Sequence, residues 1–254
     1  MKTCLAALLF SACVLFAQTP DISGVWKADL EKSKITPAPK SYLMIIEQKE
    51  SRIIGTVGIT GQRGEDRSTF NYNTQRPSIN SFRGIPLRSK AAWEGSALKV
   101  DEHVGGARPM DIHETYTLSA DGKTLTLERK MTMGDRNMDN TIVFDKVPES
   151  EGESLRKPEE TAAAHYKNVT TVLKDVPASQ FMDAMRSFTF SLGVDCQFCH
   201  VEGNFASDDK HAKTTARHMI EMTHQINAQA FNGNMRVRCY TCHQGHQEPI
   251  NVPE

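Results

Sequence analysis

Beyond its N-terminal segment this chain has no cysteine to spare. Of six cysteines, Cys4 and Cys13 lie in the first seventeen residues, and Cys196, Cys199, Cys239 and Cys242 sit in two Cys-x-x-Cys-His pentapeptides. A disulfide framework, the usual device of exported proteins, is thereby left without residues to build it. Also missing is any excess of positive charge: 30 Lys and Arg against 31 Asp and Glu give a formal net charge of -1. Nothing in that balance favours nucleic acid or an anionic membrane surface as partner. No apolar run reaches the length of a membrane span. What remains, 39% hydrophobic and 24% charged residues over 254 positions, suits a soluble globular chain of one large or two modest domains.

The one short apolar run has a specific reading. Lys2 supplies a positively charged start, and Leu5 to Phe16 form an apolar stretch ending near Ala17-Gln18. The pattern predicts a secretory signal peptide over residues 1–17 and an exported, periplasmic protein. Membrane association would require either an uncleaved N-terminus or lipidation at Cys13, within Phe10-Ser11-Ala12-Cys13.

Cys196-Gln197-Phe198-Cys199-His200 and Cys239-Tyr240-Thr241-Cys242-His243 match the pattern of covalent c-type haem attachment. The spacing has a chemical origin. Two thiols three positions apart reach the two vinyl groups on one edge of a porphyrin, and the adjoining histidine becomes the proximal iron ligand. The expectation is two haem c groups, linked through Cys196, Cys199, Cys239 and Cys242, with His200 and His243 on the irons. A competing reading joins both Cys pairs into one four-sulfur zinc site. The pairs are too far apart for the usual zinc spacing, and the histidine after each pair has no part in such a site.

From Asp21 to about Lys146 the chain is strand-like. Ser41-Tyr-Leu-Met-Ile-Ile, Arg52-Ile-Ile-Gly-Thr-Val, Ala97-Leu-Lys-Val, His113-Glu-Thr-Tyr-Thr-Leu, Thr124-Leu-Thr-Leu and Asn140-Thr-Ile-Val-Phe are β-rich runs, several alternating apolar with polar residues. Ala120-Asp121-Gly122-Lys123 between two of them marks a hairpin. Six to eight strands are expected, closing into a small antiparallel barrel or sandwich over 21–146. Asp21-Ile-Ser-Gly-Val-Trp26 is similar to the opening strand of lipocalin-like barrels. Trp26 and Trp93 are expected in the core, His103 and His113 as isolated structural histidines, and polar residues 63–80 as a long loop or irregular strands. Residues 147–163 contain Val-Pro-Glu-Ser-Glu-Gly-Glu-Ser and more glutamates, and read as a solvated linker.

Helix signals dominate the remaining segment, 164–254. Pro177 suits a first turn, Gly193 a stop, and Phe181, Met182, Met185, Phe188 and Leu192 recur at helical spacing between them. A second helix is expected over about Lys210 to Ala228. The fold class is thus multi-domain, a β-barrel-like half followed by a small, mostly α, dihaem half.

Leu192-Gly-Val-Asp-Cys-Gln-Phe-Cys-His200, and Ala216-Arg-His-Met-Ile-Glu-Met222 followed by Val237-Arg-Cys-Tyr-Thr-Cys-His-Gln-Gly245, resemble the haem units of the cytochrome c subunit of photosynthetic reaction centres. The resemblance covers about 165–249. It implies that a helix methionine supplies each second axial ligand: Met185 for the first iron and Met219 for the second. Met182 and Met222 lie one turn away and compete for these places; any of the four could instead pack in the core. His218 and His224 are expected on an exposed face, and neither they nor His211 and His246 are expected as iron ligands. That subunit carries four haem units where this chain has two, and its additional ligand histidine has no counterpart near Asn232-Gly-Asn-Met235. The function implied is electron carriage between redox partner proteins, which the sequence does not identify. The alternative is a dihaem enzyme, a peroxidase or reductase with one open iron.

Overall fold

The structure, a computed structural model, describes residues 19–62, 64–82, 84–105 and 109–249. The expected signal peptide, with Cys13, lies outside them. Ten antiparallel strands fill the first half: β1 (Gly24–Lys34), β2 (Ser41–Lys49), β3 (Arg52–Gly61), β4 (Gly64–Asn73), β5 (Ser78–Phe82), β6 (Ile85–Glu94), β7 (Ala97–Val104), β8 (Met110–Leu118), β9 (Thr124–Met133) and β10 (Arg136–Val147). The sheet order β4-β3-β2-β1-β10-β9-β8-β7-β6-β5 makes a meander whose first strand returns to pair with its last. The result is a nearly closed barrel with one seam, between β4 and β5.

Alternation decides which residues enter the barrel. In β7, Leu98, Val100, Glu102 and Val104 are buried while Lys99, Asp101 and His103 face water. Trp26 is fully buried, as expected, and its Nε1–H donates to the Ile22 carbonyl at 2.9 Å. It packs with Met44, Leu125, Leu127 and Phe144, while Trp93 is half-buried at the margin of that core. Each such buried side chain contributes roughly 1.5–3 kcal/mol through lost apolar contact with water. His103 and His113 are exposed and pair across the β7–β8 ladder, with Asp111 at 2.7 Å and Asp101 at 2.6 Å.

The stretch 63–80, expected as a loop or irregular strands, forms the regular strands β4 and β5 beside the seam. These two strands have one ladder partner each, so they carry few apolar residues and hide their periodicity; Tyr72 is the sole buried side chain of β4. The seam is closed by a side chain instead of a ladder. Asn80 Oδ1 accepts from the Asn71 amide at 2.7 Å, and its Nδ2 donates to the Asn71 carbonyl at 3.3 Å.

From Asn80 a polar chain runs inward. Asn80 Nδ2 also donates to Ser89 Oγ at 2.7 Å, and Ser89 Oγ donates to Glu102 Oε1 at 2.7 Å. Deeper still, buried Glu114 accepts from Tyr72 and Tyr116 hydroxyls at 3.1 and 2.7 Å and from Arg129 Nε at 2.6 Å. Burial, with the nearby Glu114 charge second, pushes the Glu102 carboxyl up to about 7.

The acidic stretch after β10 also departs from expectation. Residues Glu149–Gly152 form a 3₁₀ turn and Glu153–Arg156 a short helix, α1. Leu155 is buried against Val25 and Ile45, which alternation places on the outer face of the sheet. Arg67 donates to the Ser154 and Lys157 carbonyls at 3.0 and 2.9 Å. Leu155 and the Arg67 hydrogen bonds together fasten this segment onto the outer face of the barrel.

Five further α-helices follow among the described residues, α2 (Ala162–His165), α3 (Ala178–Leu192), α4 (Cys196–Cys199), α5 (His211–Phe231) and α6 (Cys239–His243), with a 3₁₀ turn, Val172–Asp175, between α2 and α3. α3 starts after Pro177 and stops at Gly193, whose φ of +67° is the left-handed conformation glycine tolerates. None of the described helices is long and apolar enough to cross a membrane. The barrel touches α3 at Gly84, φ +78°, where a Cβ would overlap the Asp183 carbonyl, and through the Arg186–Asp66 ion pair at 3.6 Å.

Because Glu102 holds its proton more tightly when folded, its contribution to stability is full below the ordinary glutamate pKa and is lost as pH rises through about 7. Urea midpoints measured between pH 5 and pH 8 should therefore fall with pH, and Glu102→Gln should flatten that slope; an unchanged slope would refute the assignment.

Candidate haem-attachment site

Each pentapeptide is a single helical turn with its own cap. Asp195 Oδ1 accepts from the Phe198 amide at 3.1 Å and opens α4; at α6 the Arg238 amide donates to Thr241 Oγ1 at 3.0 Å. The turn winding brings the two cysteines of each pair to one side and puts the histidine at the end. Cys196 and Cys242 are exposed, and Cys199 and Cys239 half-buried. Burial raises the Cys199 and Cys239 thiols above their usual range.

Both histidines are held the same way. His200 Nδ1 lies 2.9 Å from the Phe205 carbonyl, and His243 Nδ1 lies 3.0 Å from the His246 carbonyl. A carbonyl can only accept, so Nδ1 carries the proton in each ring. Nε2 is then left with its lone pair, which is the form an iron ligand needs. Burial also lowers the pKa of His200, favouring the neutral ring.

The two units interlock. α4 packs on α5, and α6 packs on α3, so each attachment turn abuts the helix of the other unit. Gly193 at the end of α3 sits where a Cβ would overlap the Gly245 carbonyl, and the Gly245 amide donates to the Ser191 carbonyl at 2.8 Å. Phe190 of α3 stacks on Tyr240 of α6 with ring centroids 5.3 Å apart. Lys210 donates to the Gln197 carbonyl on the other side of the pair.

Two residues that the sequence reading did not single out position these turns. Asn227, buried in α5, donates to the Thr223 and Val237 carbonyls at 3.0 and 2.7 Å and accepts from the Arg236 and Val237 amides, both at 2.9 Å. It pins the strand of chain that leads into α6. Lys213, buried at the start of α5, donates to the carbonyls of Phe205, Ala206 and Ser207. The signal for both was present but weak: a polar residue where the helix turns its face inward.

The family described as photosynthetic reaction centre cytochrome C subunit matches residues 115–253. The chain belongs to that family. A relative, the photosynthetic reaction center cytochrome c subunit of Thermochromatium tepidum, is 39% identical over 92 residues, 35% of this chain and 22% of that protein. Cytochrome c-554 of Chloroflexus aurantiacus is 37% identical over 87 residues, 31% of this chain and 21% of that one. The chain thus spans about a fifth to a quarter of the length of these curated relatives. Among solved structures, lipid binding protein 8 of Caenorhabditis elegans is similar over 50% of this chain and 95% of its own, at 10% identity and a TM-score of 0.39.

The residues present fit the covalent haem that the family name implies. Among the described residues, the buried apolar side chains end with Ala162. Beyond it the buried residues are Thr171, Ser191, Lys213, Asn227 and His243, all polar. Yet α3 presents Met185, Phe188 and Leu192, and α5 presents Met219, Ile220 and Ile226, half-buried or exposed. Some ninety residues with apolar faces and no apolar centre of their own suit a large planar apolar group between the helices. Met185 and Met219 are half-buried, whereas Met182 and Met222 are 36% and 41% exposed. His211, His218, His224 and His246 are exposed, and His103 and His113 belong to the barrel. No three His, Cys, Asp or Glu side chains among the described residues gather as a chelating group.

Asn227→Leu keeps the volume of the side chain but orphans two amides and two carbonyls. It should cost about 1–3 kcal/mol, seen as a lower guanidinium midpoint for the helical signal, with the barrel transition unmoved.

Proposed function

We propose that this chain is an exported, periplasmic dihaem c-type cytochrome that carries electrons between redox partner proteins. Haem c supplies the one-electron Fe(III)/Fe(II) couple when bound. Cys196 and Cys199 would hold the first group and Cys239 and Cys242 the second, with His200 and Met185 on one iron and His243 and Met219 on the other. The observation that carries this reading is the pair of capped Cys-x-x-Cys-His turns. Each has its histidine Nδ1–H already donated to a backbone carbonyl, so that Nε2 is the free donor atom. The half-buried position of Met185 and Met219 supports them over Met182 and Met222 as the distal ligands.

What the protein does follows from that ligand set. Histidine and methionine together favour the reduced iron and raise the potential relative to two histidines. With both partners engaged, neither iron would keep a position for a substrate, which supports a carrier over an enzyme. The tightly capped turns and interlocked helices keep reorganisation on electron transfer small, because neither imidazole can rotate without breaking its Nδ1 bond.

The purified chain, produced with an export signal and a haem-attachment system, should show a haem-stained band that survives denaturing electrophoresis and two haems per chain in the pyridine haemochrome assay. Cys196→Ser with Cys199→Ser should halve that number. Met185→Ala and Met219→Ala should each remove part of the weak long-wavelength methionine–iron band of the oxidised protein. A high-spin iron in the resting protein, or rapid peroxide turnover, would point to the enzyme reading instead.

A further inference from the structure

The first attachment turn has a buried charge beside it, and among the described residues the second has none. Lys213 stands in the first turn of α5, where the positive end of the helix dipole disfavours a cation. Its side chain is nonetheless only 11% exposed. Nζ donates to the Phe205, Ala206 and Ser207 carbonyls at 2.9, 3.0 and 2.8 Å, which engages all three ammonium protons. It also pairs with Asp208 at 3.2 Å. Arg217, one turn further along α5, meets the same carboxylate at 3.0 Å and donates to the Asn168 carbonyl at 3.2 Å. The Asn168 amide returns to the Ala206 carbonyl at 2.6 Å and to Asp208 at 2.9 Å. Two cations thus share one carboxylate, and the cluster is net positive.

The Phe205 carbonyl is the point of contact with the first site. It accepts from Lys213 Nζ and from His200 Nδ1 at once, both at 2.9 Å. At the second site the corresponding carbonyl, that of His246, receives His243 Nδ1 and no side-chain cation among the described residues. We infer that Lys213 is a positioning residue that sets the two sites apart, so that the iron held by His200 has the higher reduction potential of the two. This rests on the dihaem reading above.

Two effects act in the same direction. An acceptor oxygen already engaged by an ammonium group draws less on the His200 Nδ1–H bond, so the imidazole keeps less imidazolate character and is a weaker donor to ferric iron. The buried positive charge also disfavours the more positive oxidation state through space, by an amount sufficient for about a tenfold change in the equilibrium. Electrons entering the pair therefore come to rest at the first site.

The test is a spectroelectrochemical titration of the full chain with both haems attached, the sites being assigned with a Cys239→Ser/Cys242→Ser chain that keeps only the first. Lys213→Met should lower the first potential by about tenfold in the Fe(III)/Fe(II) equilibrium, which is about 59 mV for one electron, and leave the second unmoved. Lys213→Arg should recover most of the shift. Asp208→Asn removes the anion, should raise the first potential, and serves where Lys213→Met fails to accumulate. A first potential unmoved by Asp208→Asn and Lys213→Met, with both haems attached, overturns the inference; so does an equal shift at both sites. An unaltered chain that attaches fewer than two haems would overturn the dihaem reading itself.

Discussion

Two imidazole rings whose Nδ1–H groups are already spent set the plan of the C-terminal half. A backbone carbonyl accepts from each, so each ring is fixed in one tautomer and one orientation. The carbonyls must themselves be held still, and most of the surrounding detail serves that end. Phe205 is held by the Lys213 ammonium, His246 follows the turn that Ser191 and Gly193 lock in place, and Asn227 fixes the approach to α6. Helices, caps and glycines are subordinate to these two hydrogen bonds.

The barrel answers a different physical problem. Ten strands enclose a core of Trp26, Phe144 and aliphatic neighbours. Its buried carboxyls Glu102 and Glu114 lie close together: Arg129 offsets the Glu114 charge, two tyrosine hydroxyls donate to Glu114, and Glu102 is left to titrate near neutrality. The junction with the helices is narrow and backbone-close at Gly84, with Arg186 and Asp66 beside it. An outward-facing apolar patch on the sheet captures Leu155, so the chain between the halves is fastened where its composition suggests a free tether.

Periodicity made the barrel and the two main helices legible. Alternation in β7 or β8 and the three-to-four spacing in α3 reflect which face is buried, and burial follows directly from side-chain polarity. The same logic hid β4 and β5: strands at a seam bury little, so they look like loop. It hid Leu155 as well, because one apolar residue has no period. Lys213 and Asn227 gave only a faint signal for a related reason. A polar residue inside a helix gains its place only from carbonyls and amides that arrive from elsewhere in the chain.

The sequence by itself determined the chemistry: which thiols are available, which histidines adjoin them, and that no cysteine remains for another use. Those properties are local, carried by five-residue spacings that any fold must preserve. Tertiary structure decided everything relational. It paired each attachment turn with the opposite helix, chose the carbonyl that each imidazole meets, and put a buried ammonium beside one of them and not the other. Two pentapeptides that read alike are thereby given different electrostatic surroundings, because a charge acts through distance in space and not through position along the chain.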